Sequence, residues 1–106
     1  MSLSGVEKFL LSYVYYEYGG KLYFQSPGGD AESFLAEFIA EEFLPRKNPN
    51  FSRVVEGFAS ALRGLREKGY VELRGYELIL TDSGKAVATQ ISQEEYRDLK
   101  KRFSKV

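Results

Sequence analysis

Cysteine and histidine are both absent from this chain. Without a thiol there is no disulfide framework and no cysteine nucleophile, and without either residue the usual zinc ligand sets are excluded. Any metal would have to be a hard ion held by carboxylates, and no EF-hand-like spacing occurs, so neither a metal nor a cofactor is expected. Tryptophan is missing too, and the 15% aromatic share consists of Tyr and Phe alone. No apolar run is long enough to span a bilayer, and the start lacks the apolar core of a signal peptide. The cytoplasm is therefore the expected compartment, and a membrane is not an expected partner. No Ser stands in a nucleophile-elbow pattern, and the turn Pro27-Gly28-Gly29 lacks the Lys of a phosphate-binding loop. Glu41-Glu42 falls on an expected solvated face with nothing to raise a carboxyl pKa, so an enzyme is not expected.

Net charge is likewise absent, with 15 Lys and Arg against 15 Asp and Glu. Its distribution is uneven. Residues 1–44 hold two Lys and seven acids, a net of −5, and residues 45–106 a net of +5. Gathered on one surface, the basic half could meet phosphates; spread over helix faces, it is ordinary solvation.

The length of 106 residues suits one domain, 1–106, with a core at 4–91 and a C-terminal helix at 92–105. Ser4 and Glu7 form a capping-box pattern ahead of a first helix with the stripe Val6, Phe9, Leu10, Tyr13 and Val14. Gly19-Gly20 ends it, and Lys21–Gln25 reads as a short strand. Asp30 caps a second helix through Leu44, with Phe34, Leu35, Phe38, Ile39 and Phe43 facing inward and Pro45 as its stop. After a loop at 46–50, a third helix runs from Phe51 to Lys68. Its inner face is Phe51, Val55, Phe58, Leu62 and Leu65. The opposite face holds Arg53, Glu56, Gly57, Ser60, Arg63, Gly64 and Glu67. Two interior glycines each cost a helix about 1 kcal/mol relative to Ala, so they imply a reason. Ser92 and Glu95 open the last helix.

The stretch from Leu62 to Ala88 is the most telling. Helical spacing stops at Gly69, and from Tyr70 the period becomes two. A turn at Arg74-Gly75, with Gly75 at positive φ, would set Val71 against Leu78 and Leu73 against Tyr76. The same register pairs Glu72 with Glu77 across the outer face. Thr81 then caps another helix. The pattern Leu62-x-x-Leu65-x-x-x-Gly69, followed by a hairpin closing in Leu80-Thr81-x-x-Gly84, resembles the recognition helix and wing of winged-helix proteins, the MarR-like and PadR-like regulators in particular. The resemblance implies an α+β, mostly helical fold: a winged helix-turn-helix in the order helix, strand, helix, helix, hairpin, with an additional C-terminal helix.

It also implies a transcriptional regulator that binds double-stranded DNA by placing helix 51–68 in the major groove. Ser52, Arg53, Ser60 and Arg63 would be the contacts on that helix. Arg46 and Lys47 in the preceding loop, Arg74 at the wing tip and Lys85 near a helix start would meet phosphates. The acidic second helix and the two wing carboxylates oppose such a partner. The alternative is a winged-helix protein–protein interaction module within a larger assembly, without direct DNA binding. Regulators of this kind often dimerise through terminal helices. A homodimer would then meet near Tyr15, Tyr16, Leu99 and Phe103, unless the tail folds back and covers those tyrosines within one chain.

Overall fold

The computed structural model describes residues 3–24 and 30–104. Gln25, the Pro27-Gly28-Gly29 turn and Lys105 lie outside the described residues. The chain is α+β and mostly helical, in the order α1 (Gly5–Tyr18), β1 (Lys21–Tyr23), α2 (Ala31–Ala40), α3 (Phe51–Glu67), β2 (Val71–Arg74), β3 (Glu77–Leu80), α4 (Asp82–Gln90) and α5 (Gln93–Ser104). The strands form one antiparallel sheet in the order β1-β3-β2. This arrangement is compatible with a winged-helix-like topology.

Local capping chemistry sets most helix starts. The Ser4 hydroxyl accepts from the Glu7 N–H at 3.1 Å, and the Glu7 carboxylate accepts from the Ser4 N–H at 2.9 Å, a complete capping box. The Asp30 carboxylate accepts from the Glu32 N–H at 3.2 Å. Thr81 accepts from the Gly84 N–H at 3.0 Å while donating to the Gly69 carbonyl at 2.7 Å, which ties the start of α4 to the end of α3. Gly84 itself lies against the Tyr70 carbonyl, where a Cβ would collide with backbone.

Strand β1 stops at Tyr23, with Phe24 already outside it, short of the expected Lys21–Gln25, and two further boundaries differ from the pattern in the sequence. Helix α2 ends at Ala40 rather than Leu44. Pro45 disfavours helical geometry at the residue before it, and the chain tightens early, with the Phe43 N–H donating to the Ala40 carbonyl at 2.9 Å. The hairpin turn is Gly75-Tyr76 rather than Arg74-Gly75, with Arg74 opposite Glu77, Leu73 opposite Leu78 and Val71 opposite Leu80. Gly75 has φ +58°, and among the described residues no residue other than glycine has positive φ. A two-residue turn needs glycine first or positive φ at both positions, and Arg74 in first place meets neither condition. The shift moves every cross-strand partner by two, so the faces are kept. Leu80 takes the inward place expected of Tyr76, which is 62% exposed at the tip. Glu72 lies opposite Ile79 instead of Glu77 and pairs with Arg74 at 2.8 Å.

The core gathers on Phe9, which is fully buried. Its ring lies within 4.7–6.1 Å, centroid to centroid, of Phe103, Phe43, Tyr13, Phe58 and Tyr96. Helix α2 packs through Leu35, Ala36, Ile39 and Ala40, all fully buried, and this stripe leaves Phe38 39% exposed rather than inward. Leu22, Leu78, Leu80 and Val71 cover the inner face of the sheet.

The two interior glycines of α3 part company. A Cβ on Gly64 would collide with Glu7 Oε2, whose carboxylate is pinned by Lys68 Nζ at 2.8 Å to each oxygen. Burial acts to raise the Glu7 carboxyl, but the bonds from Lys68 and Ser4 prevail and hold it below the usual range. Among the described residues, nothing lies within 4 Å of the Cβ position of Gly57. Gly57→Ala is therefore expected to raise unfolding free energy by about 1 kcal/mol. Gly64→Ala is expected to lower it by about 1–2 kcal/mol through loss of the Glu7–Lys68 contact. Urea denaturation of the two variants beside wild type checks both signs.

Candidate nucleic-acid interface

Helix α3 is strongly two-sided. Phe51, Phe58, Leu62 and Leu65 point into the core, and Val55 is half-buried. Ser52, Arg53, Glu56, Gly57, Ser60, Arg63 and Glu67 are exposed. Gly64 is half-covered by Glu7, so it does not belong to the open ridge expected with Gly57 and Ser60.

The acids of α2 take up much of the basic charge beside them. Asp30 accepts from Ser33 Oγ at 2.6 Å and from Arg63 Nη2 at 3.2 Å. The bond from Ser33 first, joined by that from Arg63, outweighs the opposing loss of solvation, and its carboxyl falls from 3.8 to about 2. Arg66 Nη1 lies 2.9 Å from Glu32 Oε2, an ion pair without hydrogen-bond alignment. Burial outweighs the pull of Arg66 there and raises the Glu32 carboxyl. Arg46 pairs with Glu41 and, at 3.9 Å, with Glu37, and its guanidinium lies 5.6 Å from the centre of the Phe51 ring.

The eight residues expected to contact DNA therefore fall into groups. Arg46, Arg63 and Arg74 are held in ion pairs with Glu37 and Glu41, with Asp30, and with Glu72. Lys47, Ser52, Arg53 and Ser60 are exposed on or just ahead of α3, and neither Lys47 nor Arg53 has an ion-pair partner among the described residues. Lys85 is exposed and lines a shallow depression at the hairpin–α4 junction with Arg74, Glu72 and Asp82. The acidity of α2 is plain in the sequence, but its pairing with particular arginines depends on the packing of α2 against α3.

The expected dimer residues are largely occupied within the chain. The Tyr16 hydroxyl donates to the Ile91 carbonyl at 2.5 Å, and its ring stacks on Tyr96 at 5.7 Å. Tyr15 is half-buried against Tyr16. Leu99 is 6% exposed, and Phe103 packs on Phe9 and Phe58. The tail thus folds back on α1. Among the described residues no helix is long and apolar enough to cross a membrane.

The Asp30 bonds make a pH test available. A carboxyl lowered by folding contributes stability that is present above its unfolded pKa and lost as pH falls through the folded one. Asp30→Asn keeps a capping side chain but removes the titration. The stability lost by wild type between pH 3.8 and about 2 is expected to be smaller in the variant. Thermal melts across that range check this; parallel pH profiles would count against a lowered Asp30 carboxyl in the folded chain.

Compared with models of protein families, with curated proteins and with solved structures, the chain finds no match.

Proposed function

We propose that this chain is a small DNA-binding protein of winged-helix type, a cytoplasmic transcriptional regulator that sets the outer face of α3 into the major groove. The observation carrying this reading is Gly57. It lies inside a helix, costs stability, and among the described residues meets nothing within 4 Å of its Cβ position. Folding does not call for a glycine there, whereas close approach by another surface does. The flanking groups suit a duplex. Arg53 is free to reach a guanine edge, Ser52 and Ser60 can donate to phosphate or base, and Lys47 stands just before the helix. Element order and sheet order support the same reading. Arg63 and Arg46 would contribute only by leaving Asp30 and Glu41, so the contact centres on the first half of α3. A homodimer would rest on the half-exposed Tyr15 more than on Leu99, which is already inside.

A protein–protein interaction module is the second reading. It is favoured by the ion pairs that neutralise Arg46, Arg63 and Arg74, and by the exposed Phe38 ring.

Fluorescence anisotropy with random duplex DNA over a salt series distinguishes the two. The DNA reading expects affinity to fall steeply with salt. Arg53→Ala should weaken binding by about 1–3 kcal/mol, and Lys47→Ala should reduce the salt slope by about one. Gly57→Ala should weaken binding while stabilising the fold. Absence of duplex binding at low salt, with a stable protein partner on pull-down, would establish the second reading. Unchanged affinity in both Arg53→Ala and Arg63→Ala would remove α3 as the reading element.

A further inference from the structure

A cleft of about 230 Å³ is lined by Tyr13, Glu17, Tyr18, Glu42, Phe43, Tyr96 and Lys100. Its residues come from α1, the 41–44 turn and α5, far in sequence from the outer face of α3. Glu42 accepts from the Tyr13 hydroxyl at 2.5 Å and from the Tyr18 hydroxyl at 3.1 Å. Glu17 accepts from the Tyr96 hydroxyl at 2.6 Å and from the Lys100 ammonium at 3.3 Å. Glu17 thus has a cation. Glu42 has only phenols, and among the described residues it enters no ion pair.

We propose that this cleft binds a small aliphatic ammonium, with Glu42 as its counter-ion. The charge argues for the sign. Two carboxylates against one ammonium leave the cleft net negative, which repels phosphate or carboxylate ligands and attracts a cation. Burial first, and then the neighbouring carboxylates, raise the Tyr13 and Tyr96 hydroxyls far above their ordinary range, so both stay protonated and add no charge of their own. Each phenol oxygen that donates to a carboxylate keeps lone pairs for an N–H donor. The aromatic lining favours cations further. Lys100 shows the chemistry within the chain, since its own ammonium already sits against Glu17 in this cleft. The volume lies below the roughly 300–1,000 Å³ typical of pockets for drug-sized ligands, which points to a compact amine.

The test is an NMR amide titration with 1,4-diaminobutane, compared with 1,4-butanediol at matched ionic strength. Saturable shifts at residues 17, 18, 42, 43 and 96 with the diamine alone are expected. Glu42→Gln keeps an acceptor for the phenols but removes the charge, and should weaken binding about tenfold or more. Lys100→Gln removes the competing ammonium and should tighten binding. Its sign is opposite, and the same spectra report whether each variant is folded. An equal response to the diol would overturn the proposal. So would unsaturable shifts spread over exposed carboxylates, or wild-type affinity in Glu42→Gln. None of these outcomes depends on whether the chain binds DNA.

Discussion

The packing of five rings around Phe9 is the contact on which the rest of this small protein depends. It joins α1 to the 41–44 turn through Phe43, to α3 through Phe58 and to α5 through Tyr96 and Phe103. Burying one such side chain is worth roughly 1.5–3 kcal/mol, and well-placed ring pairs add about 0.5–1.5 kcal/mol each. Exposed ion pairs contribute about 0–1 kcal/mol each. The rings therefore decide where the helices lie, and the ion pairs decide where the long side chains point once the helices are in place. With Phe58 turned toward Phe9, helical geometry leaves Ser52, Arg53, Gly57 and Ser60 facing outward.

The charge asymmetry of the sequence becomes a division of labour in space. Acids of the first half neutralise bases of the second: Glu7 with Lys68, Asp30 with Arg63, Glu32 with Arg66, Glu41 with Arg46 and Glu17 with Lys100. The second half is thus less basic as a surface than as a sequence. Among the described residues, what stays unpaired near α3 is small, Lys47 and Arg53, and it adjoins Gly57, the interior glycine of α3 that packing leaves unexplained. Glu7 has a double duty, closing the first helix cap and filling the space over Gly64.

Much of the fold was legible because it is written in local chemistry. Ser4, Asp30 and Thr81 announce helix starts through side-chain bonds to nearby N–H groups, and the change of period at Gly69 announces the hairpin. Where the structure departs from the sequence pattern, the cause is longer-range geometry. The sequence pattern marks Gly75 as the positive-φ residue but sets it second in the turn, whereas it stands first, and one position in a turn moves every pair in the ribbon by two. Phe38 looks apolar enough to be inward, yet Ala36 and Ala40 fill the inner stripe because small residues let α2 approach closely. The site was less legible than the fold. Spacing placed Arg53 and Arg63 on one face, but only packing shows that Asp30 holds one and leaves the other unpaired. The tyrosine cluster is open to either an interface or an intramolecular cover, and α5 supplies the cover for Tyr16.

The absence of cysteine offers a direct reading of the outer face of α3, since one introduced thiol is the sole thiol in the molecule. The decisive measurement is the rate of maleimide labelling of Ser60→Cys with and without random duplex DNA at low salt, beside Thr89→Cys on the exposed surface of α4. A groove-bound α3 predicts labelling slowed several-fold by DNA at position 60 and little changed at position 89. Equal rates at position 60 with and without duplex, under conditions where the duplex is bound, would contradict it.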